Sequence, residues 1–218
     1  MKPPLTIDTL IEEASTFASA QSTRAEPSLF GVTDGKAIGT HLERRFHDHI
    51  AKKYDHQRGS SSRGRDLPGV DVDLKSTSVR QPQSSCPYRS ATQKIYGLGY
   101  SLLVFVYDKQ DDNLNQTGLL EIVHCVFIDK SRTADFQTTI GLRNLIMHNA
   151  NADDIVGFLE DRRLPVDETE ARRLANRILS DPPEIGYLTI SNALQWRLQY
   201  SRVVDEAGKI EGVVDASR

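Results

Sequence analysis

The stretch RGRDLPGVDVDLKST, residues 63–77, decides how this chain is read. Val70, Val72 and Leu74 alternate with Asp71, Asp73 and Lys75, the period-two pattern of a half-buried β-strand. Pro68 and Gly69 stand at the two central positions of a turn between Leu67 and Val70, the preference of type II. Such a turn reverses the chain and brings Asp66 opposite Asp71, with Asp73 one step along on the same face. Three carboxylates held so closely repel, and each must gain a proton or share a cation. An oxygen-preferring dication, Mg²⁺ in a cell, relieves that repulsion. Lys75 beside it can orient or deprotonate a water, so the cluster suits hydrolysis of a phosphodiester. The same spacing also occurs on edge strands whose polar face is only solvated.

Outward from this strand, periodicity places the other elements. Leu5, Ile7, Leu10, Ile11 and Phe17 predict an N-terminal amphipathic helix. A second helix is expected from Asp34 to about Tyr54, with Ile38, Leu42, Phe46 and Ile50 on one face. The segment HQRGSSSRGR between that helix and the acidic strand reads as a basic loop. After the strand come a short helix at about Ser90 to Tyr100, a buried central strand at SLLVFVYD, and a further strand at GLLEIVHCVFID. Helices are expected at Phe136 to Met147, Asp153 to Leu159 and Glu168 to Leu179. The stretch IGYLTISNALQWRLQYSRVV favours strand over helix, and the tail after Asp205 reads as frayed.

The 218 residues allow one main α/β domain. The boundaries drawn are an N-terminal helix and loop over 1–33, a catalytic core over 34–130, and a mainly helical part over 131–218 with a possible DNA-contacting strand. Two cysteines, Cys86 and Cys125, are too few for a disulfide framework or a four-cysteine zinc site. No apolar run reaches the roughly 20 residues of a membrane span, so no membrane partner is expected and the cytoplasm is the expected address. The net charge of −3 conceals segregation: residues 36–65 hold eight Lys/Arg against three acids, and residues 75–107 hold four against none. Residues 151–184 hold nine acids against five Arg. A chain so divided can offer one face to a polyanion and stay in solution.

Asp66, then six residues, then Asp73-Leu74-Lys75 resembles the PD-(D/E)xK signature of the restriction-endonuclease-like nucleases. Gly39-Thr40-His41-Leu42-Glu43 lies on the helix upstream, where many of these nucleases carry a metal-supporting glutamate, and the stretch from Lys75 to Lys109 is similar to the segment after the catalytic lysine in some type II restriction enzymes. The resemblance covers about Asp34 to Lys109. It departs from the pattern in one respect: Arg65, not proline, precedes Asp66, which leaves Asp71 as a rival for the first metal ligand. The resemblance implies a restriction-endonuclease-like core with a small mixed sheet flanked by helices. It further implies Asp66 and Asp73 as metal ligands, Lys75 assisting the water, Glu43 supporting the site, and Mg²⁺ as cofactor with Mn²⁺ able to substitute.

Contacts to DNA are expected from three stretches. Arg58, Arg63 and Arg65 in the basic loop suit the phosphate backbone. Arg80, Gln81, Gln83, Arg89 and Lys94 follow the catalytic strand in an acid-free stretch, with arginine suited to guanine and glutamine to adenine. Gln195 and Arg197 alternate with apolar residues farther on. The expected function is Mg²⁺-dependent cleavage of double-stranded DNA at a specific sequence by a type II restriction endonuclease acting as a homodimer. The alternatives are a structure-specific repair or recombination nuclease, and a non-catalytic DNA-binding module with a degenerate site.

Overall fold

The computed structural model describes residues 2–59, 65–85, 90–191 and 197–217. Its first helix, α1 (Ile7–Ser22), starts at Thr6, whose hydroxyl accepts from the Thr9 N–H while the Thr9 side chain returns to the Thr6 N–H, a reciprocal cap that satisfies two free donors. The second, α2 (Gly35–Ile50), starts at Asp34, which accepts from the N–H groups of Lys36 and Ala37. The expected face forms: Ile38, Leu42, Phe46 and Ile50 are all buried. Phe17 of α1 and Phe46 of α2 meet Phe105 of the sheet edge-on, with ring centroids 5.2 to 5.5 Å apart, an arrangement the ring quadrupoles favour.

The main sheet is mixed. Its strands run in the order β1 (Ala25–Glu26), β5 (Thr117–Ile128), β4 (Ser101–Asp112), β2 (Val72–Ser78), and β8 (Val213–Asp215) also pairs with β5. β2 lies parallel to β4, whereas β4 and β5 form a long antiparallel hairpin. β2 is the continuation of the acidic stretch and stands at the edge of the sheet. A second sheet has the order β3 (Gln83–Ser85), β7 (Arg197–Gln199), β6 (Thr189–Ile190).

Alternation along β4 divides the interior. Leu103, Phe105 and Tyr107 join Val72 and Leu74 of β2 in the core shared with α1 and α2. Leu102, Val104 and Val106 face the other way, into a core with Leu188, Ile190, Leu198, Tyr200 and Val203. The second sheet and α7 (Ser201–Glu206) therefore cover the back of the main sheet. A third cluster joins α3 (Thr92–Tyr96) with α4 (Phe136–Met147), α5 (Ala152–Asp161) and α6 (Glu168–Ser180). The α/β class and the helical C-terminal part agree with the sequence; α3 packs among those helices rather than against the main sheet.

Two expectations are corrected. The tail after Asp205 is not frayed: Val213 is buried, β8 pairs with Val126–Ile128, and the Ala216 N–H donates to the Cys125 carbonyl at 2.8 Å. The Pro68-Gly69 turn forms where expected, with Val70 N–H donating to Leu67 O at 3.3 Å, but Gly69 does not take the positive φ that type II requires. That conformation falls instead on Asp71, at φ 60°, which an aspartate tolerates better than most residues. The loop therefore closes two residues later, at Leu67 and Val72.

Candidate active site

The later closure changes which carboxylates meet. With Leu67 bridged to Val72, Asp66 stands across from Asp73 rather than Asp71. The Leu74 N–H donates to Asp66 Oδ2 at 2.8 Å, which anchors Asp66 to β2. Asp73 is buried, its carboxyl is pushed up to about 7 by burial and by the hydrogen bond it shares with Asp66, and the nearby Lys75 ammonium opposes that rise. Lys75 Nζ lies 2.5 Å from Asp73 Oδ2. A buried carboxyl hydrogen-bonded to a second one, with an ammonium alongside, is a place that a further positive charge would stabilise.

Glu43 projects from α2 toward this pair. Burial raises its pKa, Asp73 adds to the rise, and the Lys75 charge works against it. Its coupling to both residues places it in electrostatic range, although among the described residues no three acidic, histidine or cysteine side chains converge into a ready-made metal cage. Asp71 turns away into an ion pair with Arg65 and is more exposed than Asp73. The donor set of Asp66, Asp73 and Glu43 is all oxygen, and burial raises the carboxyls of Asp73 and Glu43 against the opposing charge of Lys75. Those properties fit a hard dication such as Mg²⁺.

The expected DNA contacts scatter. Arg58 is exposed and paired with Asp48 at 2.5 Å. Arg65 also sits over the Tyr100 ring, 5.7 Å from its centroid. Arg58 and Arg65 flank the segment that holds Arg63; Arg63, Arg89 and Gln195 lie outside the described residues. Arg80 and Gln81 are exposed in the turn after β2. Gln83 and Arg197, expected from separate stretches, are brought onto neighbouring strands by the β3–β7 pairing. Lys94 does not reach this surface: it is 3% exposed on α3, where burial lowers its pKa and the Asp135 carboxylate opposes that fall.

A family model described as type II restriction enzyme NspV matches residues 4–215, which is nearly the whole chain. The chain belongs to the NspV family of type II restriction enzymes. A relative named type II restriction enzyme NspV, from Nostoc sp. (strain ATCC 29411 / PCC 7524), is 53% identical over 214 residues, covering 98% of this chain and 97% of the relative. No solved structure matches it.

Sequence reading missed two parts of this site. Gly59 donates its N–H to the Asp66 carbonyl at 2.8 Å and closes the neck of the basic segment. Thr77, two residues beyond Lys75, ties the turn after β2 through its hydroxyl, which lies 3.1 Å from the Gln81 carbonyl and 3.0 Å from that of Gln83. The alternation Asp73, Lys75, Thr77 was a usable signal for Thr77; nothing local marked Gly59.

Proposed function

We propose that this protein is a Mg²⁺-dependent type II restriction endonuclease that hydrolyses phosphodiester bonds of double-stranded DNA at a specific sequence. The observation that carries this reading is the Asp66–Asp73–Lys75 arrangement on an edge strand of a chain that belongs to a restriction-enzyme family. Asp66 and Asp73 would hold the metal, with Glu43 completing the site through a second ion or a bound water; Asp71 is the alternative ligand should the turn rearrange. Bound there, Mg²⁺ supplies positive charge to the phosphate oxygens and the leaving oxygen as negative charge grows on them.

The side chains do the rest. Lys75, held by Asp73, orients the attacking water and balances charge on the scissile phosphate. Water adds to phosphorus, the bond from phosphorus to the 3′ oxygen breaks, and the proton lost by the water is matched by one gained at that oxygen. Arg58 and Arg65 hold the backbone on either side. Cutting both strands at a symmetric site calls for two copies related by a two-fold axis, and Mn²⁺ replaces Mg²⁺ because its oxygen-ligand chemistry is similar.

The test is digestion of unmodified phage and plasmid DNA. Discrete fragments are expected with Mg²⁺ or Mn²⁺ and none with EDTA. Lys75→Ala is expected to slow cleavage by about 10²- to 10⁴-fold. Asp73→Ala is expected to slow it by about 10³-fold or more, since a metal contributes several kcal/mol at the transition state. No fragments from the wild type under any of these conditions would sink the reading, and cutting confined to nicks, flaps or junctions would replace it with a repair activity. Sedimentation with a specific duplex should report two copies per site.

A further inference from the structure

The small sheet has two unlike faces. Its register sets Gln83 opposite Gln199 and Ser85 opposite Arg197, with Thr189 on the far side of Gln199. Residues directly opposite in an antiparallel pair share a face, so these five polar side chains stand together. Leu198 and Ile190 stand on the other face, 0% and 3% exposed, in the core behind the main sheet. Ser85, Arg197 and Gln199 are exposed and Gln83 is half-buried. The outward face holds two amides, one guanidinium and two hydroxyls, with no carboxylate.

One bond ties this face to the strand that carries Asp73 and Lys75, and two more hold β3 against the end of β7. The Thr77 hydroxyl accepts from the Gln83 N–H at 3.0 Å. The Tyr200 N–H donates to the Pro82 carbonyl at 2.8 Å, and the hydroxyls of Tyr200 and Ser84 are 2.5 Å apart. Alternation along β2 puts Asp73, Lys75 and Thr77 on one side, where their β4 partners are Leu102, Val104 and Val106. Those partners belong to the same core as Leu198 and Ile190. The small sheet therefore lies on the side of the main sheet toward which the catalytic side chains point.

We propose that the outward face of β3 and β7, with Gln83, Arg197 and Gln199, reads base edges in the major groove of the duplex bound for cleavage. This rests on the nuclease reading and adds the residues that set its sequence preference. The major groove admits a two-stranded ribbon; arginine pairs bidentately with guanine O6 and N7, and glutamine with adenine N6 and N7. A face free of carboxylates enters between two phosphate chains without repulsion. Locking by Thr77 holds the reading strand in register with Lys75, as cleavage at a fixed distance from the recognised bases requires.

The experiment uses full-length wild type, Gln83→Ala, Arg197→Ala and Gln199→Ala on duplexes carrying a randomised window. Cleaved molecules are sequenced in Mg²⁺, and bound molecules are sequenced in Ca²⁺, which reads preference without requiring hydrolysis. Each variant is expected to lose discrimination at a defined base pair in each half-site, on the order of 10- to 100-fold, while the other positions stay specified. A uniform loss across all sequences with an unchanged preferred site, or profiles that match the wild type, would overturn the proposal. A wild type that selects a sequence in Ca²⁺ but cuts nothing would refute hydrolysis, while the reading face is judged on the bound pools alone. A wild type that neither cuts nor selects refutes both.

Discussion

Asp71 and Asp73 are two positions apart and chemically identical, yet their surroundings separate them. Asp71 takes the left-handed backbone conformation that closes the turn and lends its carboxylate to Arg65. Asp73 is carried inward by the strand to hydrogen-bond with Asp66 beside Lys75. Gly59 is a third residue defined by its surroundings. A Cβ there would lie 1.6 Å from the Arg65 carbonyl oxygen and 2.7 Å from its carbon, and backbone atoms cannot step aside cheaply. Gly59→Ala is expected to destabilise the fold by about 1–3 kcal/mol, as overpacking does, and to slow cleavage at least tenfold by displacing Asp66. Urea midpoints and single-turnover rates measure the two effects; an unchanged rate would mean that the neck does not position Asp66.

At the scale of elements, α2 has two faces with different tasks. Its apolar face, Ile38, Leu42, Phe46 and Ile50, was legible because a 3.6-residue period needs only local sequence. Its other side carries Glu43 toward the site and, one turn on, His47. Neighbours one and two apart on a helix do not face each other, so the His47-Asp48-His49 run holds no metal by itself. The structure instead pairs His47 with His56, ring nitrogens 3.2 Å apart and planes stacked. Burial pushes His47 down to about 4, with the Arg58 charge and His56 adding to the fall and Asp48 opposing it. A histidine whose folded pKa is depressed binds fewer protons in the folded than in the unfolded state, so its contribution is complete above about 6.5 and is lost as pH falls toward 4. Asp73, raised to about 7, has the opposite slope over the same window, so the His47 contribution is read as the difference between wild type and His47→Gln, which cannot titrate. Urea midpoints of the variant are expected to fall less, or rise more, than those of the wild type as pH drops from about 6.5 toward 4, and parallel profiles would contradict the assignment.

Across the whole molecule, the chain's two ends and its middle meet at the long β4–β5 hairpin. α1 and α2 cover one side of it, and the small sheet covers the other. The last residues close it: β8 pairs with Val126–Ile128, and the Cys125 N–H donates to Ser217 Oγ at 2.8 Å. Deleting residues 213–218 removes buried Val213 and Ala216 together with these bonds. The loss is expected to be at least about 2–5 kcal/mol by analogy with deleting a large buried side chain. A thermal melt of the truncated chain tests this, and an unchanged midpoint would mean that the strand contributes nothing. Among the described residues no helix is long and apolar enough to cross a membrane.

Local sequence by itself determined the helices other than α7, which falls in a stretch that favoured strand, the strand alternation and the candidacy of Asp66, Asp73, Lys75 and Glu43, because period, caps and side-chain chemistry act over a few residues. Only the tertiary structure decided that Asp66 faces Asp73, since a two-residue difference in where a turn closes depends on backbone angles that Pro-Gly alone does not specify. It also decided that Lys94 is buried and that β3 and β7 pair, bringing together Ser84 and Tyr200 from 116 residues apart. Such pairings are selected by the buried face that each strand must share with the rest of the core, and no local pattern records that partner.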